Sequence, residues 1–199
     1  MEKVIITEKG FLYDKVPAEV YKELLANIDI HNVDSKKTYS SSLAGNMEKE
    51  FEVTNNIPNS FYEYIAYLAN SYYDLFPREK VKNNKRFEFI DSWLNYQKKH
   101  EFNPIHLHDG SLSYVVWIKI PYDISNELKL PNNLNTKVAR NSIFEFTVDD
   151  TSFGIFVNSS MEGQIIIFNS KYLHQVYPFF TSDEYRISLA GNLKTHWVD

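Results

Sequence analysis

The chain has 199 residues, 43% of them hydrophobic and 16% aromatic, so one packed domain is expected rather than a disordered chain. Its formal net charge of -5 argues against non-specific nucleic-acid binding, which needs a basic surface, and the absence of cysteine excludes disulfides and cysteine nucleophiles. No segment approaches the ~20 consecutive apolar residues of a membrane span and the acidic N-terminus does not resemble a signal peptide, so we expect a cytoplasmic protein.

Two helices are predicted in the first 80 residues. Pro17 can occupy the first turn of a helix, and apolar residues then recur at helical spacing as far as Ile28. A second helix is predicted to begin at Ser60, within a capping-box pattern, and to end before Pro77. The polar, serine-rich residues 34–56 between them are expected to form a loop with one short strand.

From residue 86 onward, short segments rich in β-branched and aromatic residues are separated by glycine, proline, asparagine and aspartate. These predicted strands cover residues 86–97, 112–120, 142–148, 164–168, 172–179 and 186–193. The order of elements predicts a mainly β protein with N-terminal helices, built as a barrel or a double-sheet jelly roll. We expect one domain over residues 1–199, with a helical buttress over about 1–85 and a β core over about 86–199.

Two loops are candidates to close over a substrate. Residues 121–141 are polar and are interpreted as a long insertion between strands, and long insertions often form active-site lids. The loop over residues 34–46 is the second candidate.

His106 and His108 are the first candidate site residues. Side chains at positions i and i+2 of a strand point to the same face, so this pair can bring two imidazoles to one metal ion. A solvated or hydrogen-bonded pair in a loop explains the spacing alone at least as well. The other histidines, His31, His100 and His196, are interpreted as ordinary surface or helix-end residues.

Two further residues favour the metal-site interpretation of the histidine pair over the loop interpretation. His174 follows a turn and the strongly apolar segment 163–168, and Arg186 comes twelve residues later on another apolar strand. A buried arginine is costly unless it is paired, and its planar fork binds a carboxylate through two hydrogen bonds. The alternative is a surface ion pair between Arg186 and the neighbouring Asp183 or Glu184.

This combination resembles the Fe(II)/2-oxoglutarate-dependent oxygenases, and within them the prolyl-hydroxylase-like branch with its small bacterial and phage members. The shared features are a His-x-His pair in place of the usual His-x-Asp, a distal histidine, and Arg-x-Ser on the next strand. The matching segments, roughly the C-terminal half of the chain, are residues 103–110, 113–121, 163–178 and 185–193. The resemblance implies a double-stranded β-helix (a jelly-roll or cupin-like core) that holds one iron ion.

The resemblance also implies roles for individual residues. His106 and His174 would be metal ligands, and Arg186 would hold the distal carboxylate of 2-oxoglutarate with help from Ser188. Tyr96, ten residues before the first histidine, falls where this branch places a tyrosine that hydrogen-bonds the cosubstrate. Trp117 falls where another cosubstrate-lining aromatic residue is expected. Ordinary core packing is the alternative for both aromatic residues.

The third metal ligand departs from the family pattern, which is two histidines and one carboxylate. His108 occupies the carboxylate position, which would give three neutral imidazoles and one more unit of net positive charge. Asp109 faces away from His108 in a regular strand and could bind only if the chain turned at Gly110, so His108 is favoured. A motif that starts at His108, with Gly110 in the carboxylate position as in halogenating relatives, would leave His106 without a role.

By this resemblance, the chain would be a dioxygenase that consumes dioxygen and 2-oxoglutarate, releases succinate and carbon dioxide, and hydroxylates a peptidyl side chain or a small molecule. Two other functions are compatible with the sequence. A three-histidine cupin-type dioxygenase that does not use 2-oxoglutarate would explain the imidazoles but would leave Arg186 without a role. A non-catalytic β-barrel that binds a sugar or a peptide would make the histidines structural.

Overall fold

Two antiparallel sheets form the centre of the protein, and two helices pack against the outer face of the larger sheet. The structure is a computed structural model that describes residues 1–6, 9–31, 45–47, 49–77, 84–134 and 140–198. The strands within these ranges are β1 (Glu2–Ile6), β2 (Lys9–Lys15), β3 (Lys49–Glu52), β4 (Asn84–Gln97), β5 (Asn103–His106), β6 (Leu112–Lys119), β7 (Ile143–Val148), β8 (Thr151–Phe156), β9 (Gln164–Asn169), β10 (Leu173–Val176) and β11 (Arg186–Val198). The helices are α1 (Ala18–Ile28), α2 (Asn59–Leu75), α3 (Ile124–Leu128) and α4 (Pro131–Leu134).

The strands alternate between the two sheets along the chain. The seven-stranded sheet has the order β1-β2-β9-β6-β11-β4-β3, and the four-stranded sheet has the order β5-β10-β7-β8. From β4 to β11, the chain crosses between the sheets after every strand except at the tight β7–β8 hairpin. The predicted class, mainly β with N-terminal helices, is confirmed.

Each strand of the larger sheet divides its side chains between two hydrophobic clusters because successive residues point to opposite faces. On β6, Tyr114 and Val116 pack in the cluster under the helices, whereas Val115 and Trp117 point into the space between the sheets. Helix α2 contributes its apolar face to the first cluster and contacts β2, β4 and β9. Residues of both β4 and β5 therefore line the space between the sheets, where they can meet.

The N-terminal segment contains strands that the helical pattern did not predict. Strands β1 and β2 extend the larger sheet beyond β9, and β2 buries Phe11 toward the space between the sheets and Leu12 toward the helices. Strand β8 was also not predicted, because its residues are mostly exposed and do not alternate between apolar and polar. The predicted strand over 172–179 is shorter in the structure and ends at Val176, two residues before Pro178, which cannot donate a ladder hydrogen bond.

The two predicted lid segments have different outcomes. Residues 34–44 lie outside the described residues, so the candidate loop over 34–46 is described only at residues 45 and 46. The insertion between β6 and β7 contains the short helices α3 and α4 in its described part. Among the described helices, none combines the length and the apolar character that a membrane-spanning segment requires.

The close approach of β11 to its neighbours requires glycine at position 191. A Cβ atom built on Gly191 would lie 2.6 Å from the carbonyl oxygen of Asp91 and 2.6 Å from Cζ of the fully buried Tyr114. We predict that Gly191→Ala lowers the free energy of unfolding by about 1–3 kcal/mol, the usual cost of overpacking, as measured by urea denaturation. Lys194→Ala, at an exposed position of the same strand, should change it by less than about 0.5 kcal/mol. Equal stability of the two variants would contradict this packing.

Candidate metal centre

Antiparallel pairing of β5 and β10 brings the three candidate histidines together. His106 is the last residue of β5 and lies directly opposite His174 on β10. His108 lies two residues beyond the end of β5, where its backbone N–H donates to the carbonyl of Ser170 at 3.0 Å. Its side chain therefore stays on the same inner face as that of His106, as the spacing of the pair predicted.

The three imidazoles are close enough to share one ion. One ligand nitrogen from each ring lies within 4.8 Å of the other two. The ring centroids are 4.3 Å apart for His106 and His174, and 4.9 Å apart for each pair that includes His108. An ion held by bonds of about 2.1 Å at right angles needs nitrogens about 3 Å apart, which lies within the limit that these nitrogens satisfy.

Backbone carbonyls fix the orientation of two of these rings. Nδ1 of His106 lies 2.6 Å from the carbonyl oxygen of Pro104, and Nδ1 of His174 lies 3.0 Å from that of Tyr172. A carbonyl can only accept, so Nδ1 carries the proton in each ring and the lone pair is on Nε2. This is the usual arrangement around a metal-binding histidine, whose other nitrogen donates to a protein oxygen.

The surroundings keep all three rings uncharged at neutral pH. Burial lowers the pKa of His106, and burial together with the neighbouring His106 and Lys171 lowers the pKa of His108 to about 3. Burial, followed by the two other imidazoles, lowers the pKa of His174 well below its ordinary value. Neutral imidazole is the form that binds a metal ion, so the cluster does not have to lose protons before it can act as a ligand set.

Asp109 lies outside this cluster. Its side chain is fully exposed, and its carboxylate is 3.8 Å from Nζ of Lys171. The next residue, Gly110, has a positive φ of 90°, and this turn leads the chain into β6 without bringing the carboxylate inward. Among the described residues, the potential metal ligands in this group are therefore three imidazoles, with no carboxylate.

The cluster lines a cavity between the sheets that contains most of the other predicted site residues. Among its polar and aromatic lining residues are Asn95, Gln97, Asn103, Trp117, Arg186 and Ser188. Trp117 is almost fully buried and its ring packs edge-on against Phe144. The hydroxyl of Ser188 accepts a hydrogen bond from Nδ2 of Asn95 at 3.3 Å.

Arg186 is buried in this cavity with only neutral acceptors. Its side chain is 4% exposed, and its Nε and Nη2 both donate to Oε1 of Gln97. Nη1 donates to the hydroxyl of Tyr122 at 2.9 Å, and Nη2 donates to the carbonyl of Tyr177 at 3.0 Å. These contacts use four of the five guanidinium N–H groups and leave the charge without a carboxylate partner among the described residues.

The acidic residues next to Arg186 in sequence do not neutralise it. Asp183 forms an ion pair with Lys99 at 2.5 Å, and Glu184 forms one with Lys119 at 2.5 Å. Both pairs lie on the surface, so the alternative of a surface pair with Arg186 is wrong. A buried guanidinium without a carboxylate is expensive, and an anionic ligand in the cavity would compensate for it.

The structure does not bring Tyr96 to the cavity. Residues 93, 95 and 97 of β4 face the cavity, so Tyr96 points to the opposite face and packs under the helices with Phe51 and Tyr185. Its hydroxyl donates to the carbonyl of Ile30 at 2.8 Å. Tyr96 is therefore not placed to hydrogen-bond a ligand in this cavity, because a one-residue step along a strand reverses the side-chain direction.

Two residues around Arg186 were missed by the sequence analysis. Gln97 was part of a predicted strand, and its inward direction follows from the strand period once β4 is placed, but no motif marks it. Tyr122 was assigned to the polar insertion, yet its side chain is only 5% exposed. The signal that could have found it is the run of apolar residues from β6 that continues through Ile120 to Tyr122.

Comparison with known proteins now gives the family. Residues 91–192 match the model of the family described as "Putative 2OG-Fe(II) oxygenase", which is just over half of the chain and includes every histidine of the cluster and Arg186. The chain belongs to this 2OG-Fe(II) oxygenase family. Among curated proteins, none matches the sequence significantly.

Solved structures of 2OG-Fe(II) oxygenases share the fold at low sequence identity. A prolyl-4-hydroxylase from Pseudomonas putida superposes with a TM-score of 0.57 and 13% identity over 94% of this chain and 92% of the other. The viral collagen prolyl hydroxylase of Paramecium bursaria Chlorella virus-1, in its 2OG complex, gives 0.55 and 11% over 92% and 94%. HygX from Streptomyces hygroscopicus, with nickel and 2-oxoglutarate bound, gives 0.54 and 10% over 94% and 83%.

These similarities confirm the double-stranded β-helix that the sequence predicted, with two antiparallel sheets around the site. Members of the 2OG-Fe(II) oxygenase family use Fe(II) and 2-oxoglutarate. The buried group of three histidines lies inside the matched segment.

The placement of Tyr96 under the helices predicts a structural role. Tyr96→Phe should lower the free energy of unfolding by about 1 kcal/mol, because the carbonyl of Ile30 loses its hydrogen-bond donor. Urea denaturation measures this change. The affinity of the variant for a divalent metal ion should equal that of the unsubstituted protein, and a large loss of metal binding would contradict the placement.

Proposed function

We propose that the chain is an Fe(II)- and 2-oxoglutarate-dependent dioxygenase that hydroxylates a substrate with release of succinate and carbon dioxide. In this proposal, the metal ligands are His106, His108 and His174. Arg186 binds the distal carboxylate of 2-oxoglutarate, and Ser188 and Trp117 line the cosubstrate site.

The observation that carries the proposal is that a possible metal site and a buried cation without a carboxylate partner lie in the same cavity. Three neutral imidazoles converge at one part of the cavity, and a buried guanidinium without a carboxylate lies in another part of it. Three neutral ligands leave the full charge of a divalent ion uncompensated. A dianion with a chelating 2-oxo acid at one end and a carboxylate at the other supplies what both features lack.

The donor set fits an iron(II) centre. Imidazole is a good ligand for divalent iron, and three facial ligands leave open positions for a chelating cosubstrate and dioxygen. When bound, the iron would supply the oxidative chemistry, which is the cofactor's own. His106 and His174 are oriented for this role through their Nδ1–H groups, which donate to backbone carbonyls.

The protein's own contribution is to orient the cosubstrate and to exclude water. Gln97, Tyr122 and the carbonyl of Tyr177 hold the fork of Arg186 in a fixed direction, so its remaining N–H is available to a ligand. The hydroxyl of Tyr122 accepts from Nη1 of Arg186 at 2.9 Å, so it acts on the cosubstrate by fixing the direction of the guanidinium. Trp117 and Phe144 form an apolar wall of the cavity.

The prime substrate is proposed to be a peptidyl side chain or a small molecule. Two of the similar structures are prolyl hydroxylases, which supports a peptidyl substrate, whereas HygX was solved with 2-oxoglutarate and, in a second structure, with hygromycin B. A screen of peptides and small molecules for succinate formation distinguishes the two classes.

The choice between His108 and Asp109 as third ligand is directly testable. His108→Ala should weaken Mn(II) binding by about 100-fold or more, because one of three ligands is lost. Asp109→Ala removes an exposed carboxylate and should leave the affinity unchanged. Anaerobic calorimetry with Mn(II) measures both variants, and the reverse order of effects would contradict the three-imidazole site.

The role of Arg186 predicts a selective loss of cosubstrate binding. Arg186→Met should weaken the binding of 2-oxoglutarate to the Mn(II)-loaded protein by about 100-fold, since a buried, charge-assisted hydrogen bond to the distal carboxylate is lost together with its counter-charge. The metal affinity should not change, because Arg186 is not one of the proposed ligands. Tyr122→Phe should cost about 10-fold, and Tyr96→Phe, the same chemical change outside the cavity, should have no effect.

The outcomes of these titrations also separate the competing functions. Metal binding with no 2-oxoglutarate binding would favour a three-histidine dioxygenase that does not use this cosubstrate. No metal binding at all would favour a non-catalytic barrel. Equal losses of metal and cosubstrate in Arg186→Met would indicate misfolding of the cavity rather than the proposed contact.

A further inference from the structure

Glu127 is a fully buried carboxylate outside the cavity. It lies on the short helix α3 of the insertion, and its side chain has no exposed surface. Residues of this kind are rarely buried unless every lone pair is satisfied. Its contacts therefore show what the position is used for.

Both carboxylate oxygens accept hydrogen bonds, and every donor is neutral. Oε1 accepts from the backbone N–H of Phe180 at 3.0 Å, and from the N–H and the hydroxyl of Thr181 at 2.7 and 2.6 Å. Oε2 accepts from Nδ2 of Asn141 at 2.7 Å and from the hydroxyl of Ser142 at 3.1 Å. Burial raises the pKa of Glu127, but the hydrogen bonds together lower it by a larger amount. The net shift is downward, so the group is a carboxylate at neutral pH.

These five hydrogen bonds join three segments that are distant in sequence. They link α3 to the residues that lead into β7 and to the segment that follows β10. The backbone carbonyl of Glu127 also accepts hydrogen bonds from the side chains of Asn133 and Asn141, and these hold the described part of the insertion against α3. One side chain thus connects both ends of the insertion to the segment that follows β10, the strand of His174.

Two of the joined segments carry the residues that hold Arg186. Tyr122 lies just before α3, and Phe179 lies just before the residues whose N–H groups Glu127 binds. The rings of Tyr122 and Phe179 stack at 4.8 Å, and the Arg186 guanidinium carbon is 5.9 Å and 5.5 Å from their centroids. The carbonyl of Tyr177, in the same segment as Phe179, accepts from Nη2 of Arg186.

We propose that Glu127 is a positioning residue that sets the direction of the Arg186 fork by locking together the segments of Tyr122 and Phe179. This inference rests on the proposed function, because it concerns the site of the distal carboxylate of 2-oxoglutarate. Glu127 does not contact the cosubstrate in this proposal. Its effect on affinity passes through Arg186 alone.

Comparing the binding of 2-oxoglutarate and 2-oxopentanoate distinguishes a positioning role of Glu127 from a general role in folding. 2-Oxopentanoate has the same 2-oxo acid as 2-oxoglutarate but carries a methyl group in place of the distal carboxylate, so it does not need Arg186. Glu127→Gln puts an N–H group against Nδ2 of Asn141 and loses that hydrogen bond, whereas the hydroxyl of Ser142 can rotate and accept from the new N–H. It should weaken 2-oxoglutarate binding to the Mn(II)-loaded protein by about 10-fold. Binding of 2-oxopentanoate and of Mn(II) should not change.

Calorimetric titration in a double-mutant cycle completes the test. In an Arg186→Met background, Glu127→Gln should have no further effect on 2-oxoglutarate affinity, because the two residues act through one contact. An equal loss for both oxo acids, or the same loss in the Arg186→Met background, would overturn the positioning role. If Glu127→Gln does not fold, Thr181→Val removes a single donor from the same carboxylate and should give a smaller loss with the same ligand selectivity.

The outcomes for this inference and for the proposed function are distinguishable. If the unsubstituted protein binds Mn(II) but not 2-oxoglutarate, the proposed function is overturned and the positioning role is overturned with it. If the unsubstituted protein binds 2-oxoglutarate and Glu127→Gln binds it equally well, only the positioning role is overturned.

Discussion

The buried positive charge of Arg186 is the constraint on which the rest of the site depends. The protein surrounds this guanidinium with an amide oxygen, a phenolic oxygen, a backbone carbonyl and two aromatic rings, but with no carboxylate among the described residues. Such an arrangement is stabilising only when an anion completes it, since a buried charge without a counter-ion costs several kcal/mol. The cavity is therefore built for an anionic ligand, and the family's cosubstrate is such an anion.

The metal side of the cavity follows the same electrostatic argument. In the usual site of two histidines and one carboxylate, the protein supplies one negative charge to the metal. In the proposed site, His108 would take that position and the protein would supply none, so the dianionic cosubstrate would provide all of the compensation. Of the three rings, His108 has no backbone acceptor that fixes its Nδ1 among the described residues, and its packing partner is the ring of Trp93 at 5.4 Å. We expect its orientation to depend most on the bound ions.

The sequence predicted the parts of this site that depend on strand period and missed those that depend on tertiary contacts. The i, i+2 spacing of His106 and His108 and the apolar strands that carry His174 and Arg186 identified the centre of the cavity. Tyr96 was assigned by its distance from His106 along the chain, although β4 directs it to the helices. Glu127 and Tyr122 lie in a segment whose polar composition predicted only a loop, because hydrogen bonds to residues 50 or more positions away leave no local pattern.

The central claim is that three imidazoles and Arg186 together bind a metal ion and 2-oxoglutarate. A crystal structure of the protein with Mn(II) and 2-oxoglutarate, grown without oxygen, tests it most directly. The account predicts Mn(II) bound by Nε2 of His106 and His174 and by a ring nitrogen of His108, with the distal carboxylate of 2-oxoglutarate on Arg186. A metal ion bound by Asp109, or a cosubstrate that makes no contact with Arg186, would contradict the account.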